Sequence, residues 1–433
     1  MLDIVSIFSI VTAIIVVGFA GELFFKKTGI PMFIFLIFMG ILIGPVFGFL
    51  SRANLLPSLV VFAELTLLMV LFYGGMDTGL GVALKGGGGR ALIQVFIYMI
   101  GSTIAIALLV SLLLGWDLLS SFIFASMMGG ETTAAVVIPL SRSLKLPEVT
   151  VAFLTLESTM SSILSIILFF AFVGAYQTGA ANWAGSFQTV ASNFSVGIVL
   201  GAALSIAWVF ILNRFQQRAY TYVLTLGLVF ATYVISNRLG GSGELSVLIF
   251  GIILGNYQLL NGLGNWHLSM DVLQKKLGLF QEEISFLMET LFFVFLGLNV
   301  SISGSQIFAN LTIGIEVLLV LMLFRIISTT LSTKGSELRQ NSREIILMCA
   351  QGLVPATLAI IAVGEGLPHA DSYLNIVTYV IVLTNVVTAI GSITRLRSQK
   401  LGFRDFMSSL DYQYHKGSTD EARAPRAEYA SES

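Results

Sequence analysis

The chain has 433 residues, of which 56% are hydrophobic and only 11% charged. A water-soluble domain carries roughly 25% charged residues, so neither a globular cytosolic enzyme nor a disordered chain fits, and the mean hydropathy of +0.91 points to a membrane protein. A net charge of -1 gives no basic bias toward nucleic acid.

A bilayer core needs about 20 apolar residues per helix. Thirteen runs qualify: 4–24, 31–50, 58–74, 91–114, 118–140, 150–175, 190–212, 219–236, 243–260, 284–303, 309–331, 344–363 and 372–392. Residues 1–24 read as a true first span, because no basic residue precedes the apolar run as it would in a signal peptide. The segment Trp266–Glu283 is amphipathic and reads as an interfacial helix. Gly86–Gly89 reads as a flexible linker between spans. Beyond residue 393, Arg395, Arg397, Lys400 and Arg404 surround Leu401, Phe403 and Phe406, the pattern of a short anchoring helix on anionic lipid. After Lys416 the composition is that of a disordered tail.

With the N-terminus outside, 20 of the 23 basic residues fall in inner loops and the tail. Only Arg52 and Arg238 fall outside, and Arg325 lies within a span. So uneven a split is a positive-inside signal and supports an odd number of spans. The expectation is a multi-pass protein of the cell membrane with a cytoplasmic C-terminus.

Spans 5 and 12 carry helix breakers at comparable places: Gly129-Gly130 before Glu131-Thr132-Thr133, and Gln351-Gly352 before Val354-Pro355. The two spans are seven apart. That spacing predicts two six-helix repeats of inverted topology, spans 1–6 and 8–13, joined by span 7. Interrupted helices at matching positions of inverted repeats point to a transporter's binding site. The predicted fold is therefore an all-α membrane protein of about 13 transmembrane helices with two inverted six-helix repeats and crossing interrupted helices.

Six ionisable residues lie within spans and away from their ends: Glu64, Glu131, Glu157, Glu289, Glu316 and Arg325. A charge at a helix centre costs about 2.5–3.5 kcal/mol on insertion scales. Glu157 and Arg325 sit at depths of about 10 and 9 Å from the same face at 1.5 Å per residue, so they are read as a structural ion pair. Glu131 follows the glycine break at mid-depth, where no basic residue is left to meet it. Such a carboxyl can hold a proton or a cation, each excluding the other, which is the minimum machinery of exchange. Glu64, Glu289 and Glu316 read as snorkelling or interhelical groups. Ser158, Ser161, Ser162 and Ser165 follow Glu157 at helical spacing. Their hydroxyls suit a hard monovalent cation and equally suit helix packing. One cysteine and three histidines give no thiolate cluster or three-histidine zinc site, and no nucleophile–base constellation suggests an enzyme.

Several stretches resemble the monovalent cation:proton antiporter superfamily, in particular prokaryotic sodium/proton exchangers. They are Thr28-Gly29-Ile30-Pro31 through Gly40-Ile41-Leu42-Ile43-Gly44-Pro45; Leu71-Phe72-Tyr73-Gly74-Gly75; Gly130–Val137 with Leu156-Glu157-Ser158; and Thr290–Leu298. The resemblance implies an elevator fold. Scaffold and dimerisation helices would occupy residues 1–89 and 219–303, core transport helices 90–175 and 304–392, a linker helix 176–218 and a cytoplasmic tail 393–433. It also implies a homodimer in the lipid bilayer that exchanges sodium or potassium for protons, with no cofactor. Arg325 matches the family's partner arginine, and Glu157-Ser158 match its sixth-helix motif. The departures are specific. Thr-Asp-Pro in the fifth helix of relatives is here Glu131-Thr132-Thr133, and the Asn-Asp pair of the sixth helix is Ser161-Ser162. Three possibilities follow: Glu131 replaces the missing aspartate, Glu157 is itself the carrier, or exchange is lost. The favoured expectation is Glu131 as carrier with Thr132, Ser158, Ser161 and Ser162 as neutral ligands, the metal ion touching Glu131 and Ser162. The competing functions are transport of a different solute by the same fold and a non-transporting sensor or complex subunit.

Overall fold

The structure, a computed structural model, describes residues 4–28, 32–48, 52–77, 88–177, 183–215, 221–258, 271–298, 300 and 304–398. Among these, every regular element is a helix. In chain order they are α1 (Ile4–Thr28), α2 (Met32–Ile41), α3 (Arg52–Asp77), α4 (Gly88–Leu114), α5 (Leu118–Met128), α6 (Ala134–Ser143), α7 (Glu148–Gln177), α8 (Trp183–Phe215), α9 (Thr221–Arg238), α10 (Gly243–Gly255), α11 (Asp271–Leu298), α12 (Gly304–Ser332), α13 (Ser342–Leu347), α14 (Leu353–Gly364) and α15 (Ala370–Ser398). They follow the thirteen apolar runs one for one, with the fifth run split into α5 and α6 and the twelfth into α13 and α14.

Three boundaries differ from the sequence reading. α11 runs unbroken from Asp271 to Leu298, so the amphipathic stretch up to Glu283 is continuous with the tenth span rather than a separate helix. Only Gly278 interrupts good helix formers there, and one glycine does not break a packed helix. Residues 266–270 lie outside the described residues. Gly88 and Gly89 form the first turn of α4 rather than a linker; Gly86 and Gly87 are not described. α15 continues to Ser398, and Arg395 on its last turns pairs with Glu344 at the start of α13. The tail beyond residue 398 lies outside the described residues.

Large apolar side chains point outward all around the bundle: Leu112 is 85% exposed, Phe308 73% and Val61 70%. A surface of this kind is satisfied by lipid, not by water. Because lipid offers no gain for burying apolar helix faces, close packing has to hold the bundle together. Two crossings show how. α2 meets α11 where a Cβ on Gly40 would strike the Val294 carbonyl, and one on Gly297 would strike the Ile37 carbonyl. α3 meets α10 where a Cβ on Gly75 would strike the Leu248 carbonyl, and one on Gly251 the Phe72 carbonyl. The small-xxx-small pairs are Gly40/Gly44 on the second span and Gly251/Gly255 on the ninth. Exchanging spans 2 with 9 and 3 with 10 turns one crossing into the other, which is the packing signature of the two repeats. The corresponding exchange of spans 5 with 12, 6 with 13 and 4 with 11 maps the contact of α7 with α6 onto that of α15 with α14, and leaves α4 against α12 in place.

The glycine crossings make a stability prediction. Gly251→Ala should destabilise the bundle by about 1–3 kcal/mol, the range for overpacking a filled contact. Gly227→Ala, where a Cβ meets nothing within 4 Å, should not. Thermal unfolding followed by size-exclusion fluorescence compares the two, and equal melting temperatures would contradict the packing argument.

Candidate functional site

Asp117 starts α5 by accepting the Ser120 N–H at 2.9 Å. α5 ends at Met128 because Gly129 turns to an extended ψ of 108° and Gly130 takes φ +67°, a conformation that favours glycine. Both glycines press on α4: a Cβ on either would collide with Thr103 or with the backbone of Met99. The chain then runs without helical bonds until α6 begins at Ala134. The twelfth span breaks in the same way, from Met348 to Gly352, before α14 begins at Leu353.

Backbone groups freed at membrane depth must be satisfied inside the protein. Here each break serves the other. Thr133 N–H donates to the Ala350 carbonyl at 2.8 Å, and Gln351 Nε2 donates to the Met128 carbonyl at 2.6 Å. Neighbouring helices close the rest. From α7, Ser161 Oγ accepts the Thr132 N–H at 3.3 Å, and Ser165 Oγ donates to the Ser126 carbonyl at 2.8 Å. From α15, Thr384 Oγ1 accepts the Gln351 N–H at 3.2 Å and Asn385 Nδ2 donates to the Gln351 carbonyl at 2.7 Å. A Cβ on Gly352 would overlap the Thr133 side chain, so the two breaks touch directly.

Glu131 stands in this crossing with 1% of its surface exposed. Oε1 accepts the Ser162 hydroxyl at 3.1 Å, and Oε2 has no hydrogen-bond partner. The Gly352 N–H faces the same carboxyl. Thr132 Oγ1 lies 3.2 Å from Ser158 Oγ and 3.5 Å from Ser161 Oγ. The five residues Glu131, Thr132, Ser158, Ser161 and Ser162 are therefore one contiguous group. Glu131 lies three residues before α6 begins, and helix N-termini favour negative charge. Among the described residues Glu131 forms no ion pair. The carboxyl is held by the Ser162 hydroxyl, and its other oxygen is left to accept a further donor or a cation.

Glu157 and Arg325 are both fully buried and form a salt bridge, with a second contact of 3.3 Å between Arg325 Nη2 and Glu157 Oε2. Arg325 also donates to the carbonyls of Ile345 and Met348, each at 2.8 Å from Nη2, and lies 5.2 Å over the Tyr98 ring. One guanidinium thus closes the C-terminal end of α13 and neutralises Glu157. Glu64 is elsewhere, on α3 within electrostatic reach of Glu244 and Glu365. Glu289 and Glu316 are half-buried on α11 and α12. Sequence reasoning missed Gln351 and Asn385. Gln351 stood beside a recognised glycine break and could have been found there; Asn385 carried no such signal.

Removing one member of a buried pair leaves the other charge uncompensated, at about 3–5 kcal/mol. Glu157→Gln and Arg325→Gln should each lower stability by about that much. Their combination should lose less than the sum by about 0.5–3 kcal/mol, the usual coupling between touching residues. Denaturation of the three variants checks this, and strict additivity would mean the two charges act independently.

The model of the family described as sodium/hydrogen exchanger, transmembrane, matches residues 10–395. Among solved structures, the fold is similar to that of the sodium proton antiporter MjNhaP1 from Methanocaldococcus jannaschii at pH 8. The two are 18% identical with a TM-score of 0.76, covering 90% of this chain and all of that one. An electron-microscopy structure of the same antiporter matches at 19% identity and a TM-score of 0.71, covering 92% of this chain and 98% of that one. At such identities the structural likeness concerns the fold. The family match, running across nearly the whole membrane part with its two broken helices, means that the chain belongs to the sodium/hydrogen exchanger family, a family of multi-pass membrane transporters.

Proposed function

We propose that the protein is a secondary transporter that exchanges a monovalent cation for protons at the helix crossing, with the Glu131 carboxyl as carrier. The observation that carries this reading is a fully buried carboxyl, without a cationic partner, between two unwound backbones. A naked anion there is costly in a low dielectric. Binding a proton or a metal ion relieves the cost, and the two exclude each other on one carboxyl. Ser162, Thr132, Ser158 and Ser161 supply neutral oxygens, and the ends of α6 and α14 hold the carboxylate when it changes partners. Glu157 is excluded as carrier in this reading because Arg325 already neutralises it.

Alternating access follows from the division suggested by the family resemblance. α4–α7 and α12–α15 carry the crossing and would move together against α1–α3 and α9–α11. In support, the glycine crossings of α2 with α11 and of α3 with α10 lock the second group internally. The same group would form the homodimer. The N-terminus outside and the C-terminus in the cytoplasm follow from the placement of the basic residues. Sodium is the first cation to test, as the substrate in the family's description, with potassium second.

The test is exchange in proteoliposomes, read by a pH-sensitive dye against sodium, potassium and lithium. Glu131→Gln should reduce exchange to the background of empty vesicles, and exchange at the wild-type rate would remove Glu131 as the carrier. Because cation and proton compete for one deprotonated carboxylate, acidification should raise the cation concentration for half-maximal exchange. The limit is about tenfold per pH unit where the protonated form dominates, and a half-saturation independent of pH would refute the competition. One cation for one proton is electroneutral, so clamping the membrane potential with valinomycin and potassium should leave sodium-driven exchange unaltered.

A further inference from the structure

The crossing holds more unmet oxygens than one carboxyl. Among the described residues, buried polar atoms without a hydrogen-bond partner include Glu131 Oε2, Gln351 Oε1 and Asn385 Oδ1. Gln351 and Asn385 are both fully buried. The three belong to one bonded assembly. Asn385 Nδ2 donates to the Gln351 carbonyl at 2.7 Å and to the Ile381 carbonyl at 2.8 Å. Gln351 Nε2 donates to the Met128 carbonyl at 2.6 Å. Thr133, two residues after Glu131, donates its N–H to the carbonyl of Ala350, the residue before Gln351.

The orientation of both amides follows from these bonds. Rotating either by half a turn would set its oxygen against a backbone carbonyl, so the NH2 ends are fixed where they are and the oxygens are fixed away from donors. A buried acceptor without a donor is destabilising. The remaining unmet atoms are hydroxyls of Thr103, Ser120, Thr290 and Thr357, which rotate, and Glu64 on α3 beside Glu244. At the crossing, then, the fixed unmet groups are all acceptors. A cation needs acceptors only; a water molecule, which donates two hydrogen bonds, can also bridge two such oxygens, so the ion is told from water by the binding test below. Neutral amide oxygens are ligands for hard cations.

The repeats give the same answer. In the first repeat Thr132 N–H meets Ser161 Oγ, and the next residue, Ser162, meets Glu131. In the second repeat Gln351 N–H meets Thr384 Oγ1, and the next residue, Asn385, meets Gln351. Asn385 stands where Ser162 stands, in the mirror position of the crossing.

We infer that Gln351 Oε1 and Asn385 Oδ1 form a neutral cation station on the second-repeat side of the crossing, which sets which monovalent cation the exchanger takes. The inference rests on the cation reading of the crossing given above, and its test separates the two. Gln351→Met and Asn385→Leu keep the side-chain volume and remove the oxygens. Equilibrium binding of radioactive sodium to the purified protein in detergent, together with half-saturation for lithium, sodium, potassium and rubidium in proteoliposomes, reads the effect. Each variant should weaken sodium binding at least fivefold and change the order of preference among the four cations. Asn385→Asp keeps an oxygen at the same point and adds charge, but gives up the NH2 bonds to the Gln351 and Ile381 carbonyls; in the monodisperse fraction it should tighten sodium binding at least fivefold. It decides the matter if the apolar variants lose their monodisperse elution. Folded variants with wild-type binding and wild-type order would overturn the station. If wild type exchanges and Glu131→Gln does not, that result leaves the carrier reading standing. If wild type binds none of the four ions, both readings fall together.

Discussion

Backbone polarity inside a bilayer is the constraint from which the rest of this structure follows. Two helices stop at mid-membrane, and their freed N–H and carbonyl groups have no water to turn to. The molecule answers by laying one break across the other. Thr133 bonds the Ala350 carbonyl, Gln351 bonds the Met128 carbonyl, and hydroxyls and amides from α7 and α15 take most of the remainder. Nothing about the crossing is therefore local. Four elements distant in sequence must arrive together before any of the unwound backbone is tolerable, and the crossing becomes the most constrained part of the fold.

The distribution of charge is set by that geometry. Arg325 reaches the carbonyls of Ile345 and Met348 because the end of α13 needs donors, and it meets Glu157 in the same stroke. A guanidinium has five donors in a planar fork, enough to serve a carboxylate and a helix end at once. Once it is committed, no cation among the described residues pairs with Glu131. Two glutamates in neighbouring spans thus differ in kind, one closed by a fixed counter-ion and one with a carboxyl oxygen left without a hydrogen-bond partner. The difference lies in which of them the arginine can reach.

The two repeats agree in their packing and disagree in their charge. Glycine crossings of α2 with α11 and of α3 with α10 are interchangeable, as are the hydroxyl contacts from α7 and α15 to the breaks. Yet the position three residues before α6 is Glu131 and the position three residues before α14 is Ala350. Symmetry supplies a closed, tightly packed crossing. The single carboxyl that breaks it gives the crossing a direction and one titratable group.

Much of this was legible in the sequence, and for a physical reason. Hydropathy over thirteen runs, the one-sided placement of Lys and Arg, and glycine doublets in two spans are each local in the chain, and bilayer thickness turns local composition directly into topology. The depth of Glu157 and Arg325 could likewise be computed from helix rise alone. Local signals failed where helix continuity depended on packing. An amphipathic stretch before Glu283 looked like a separate surface helix and is instead the first half of α11, because polarity by itself does not break a helix. The amide of Asn385 was invisible for a different reason. An Asn in an apolar run looks the same whether it caps a carbonyl or faces lipid, and only the approach of α15 to the broken twelfth span decides which. The sequence by itself determined the class, the spans, the breaks and the odd carboxyl; the tertiary structure alone decided which buried oxygens remain unmet, since that depends on distances between helices that no chain position encodes.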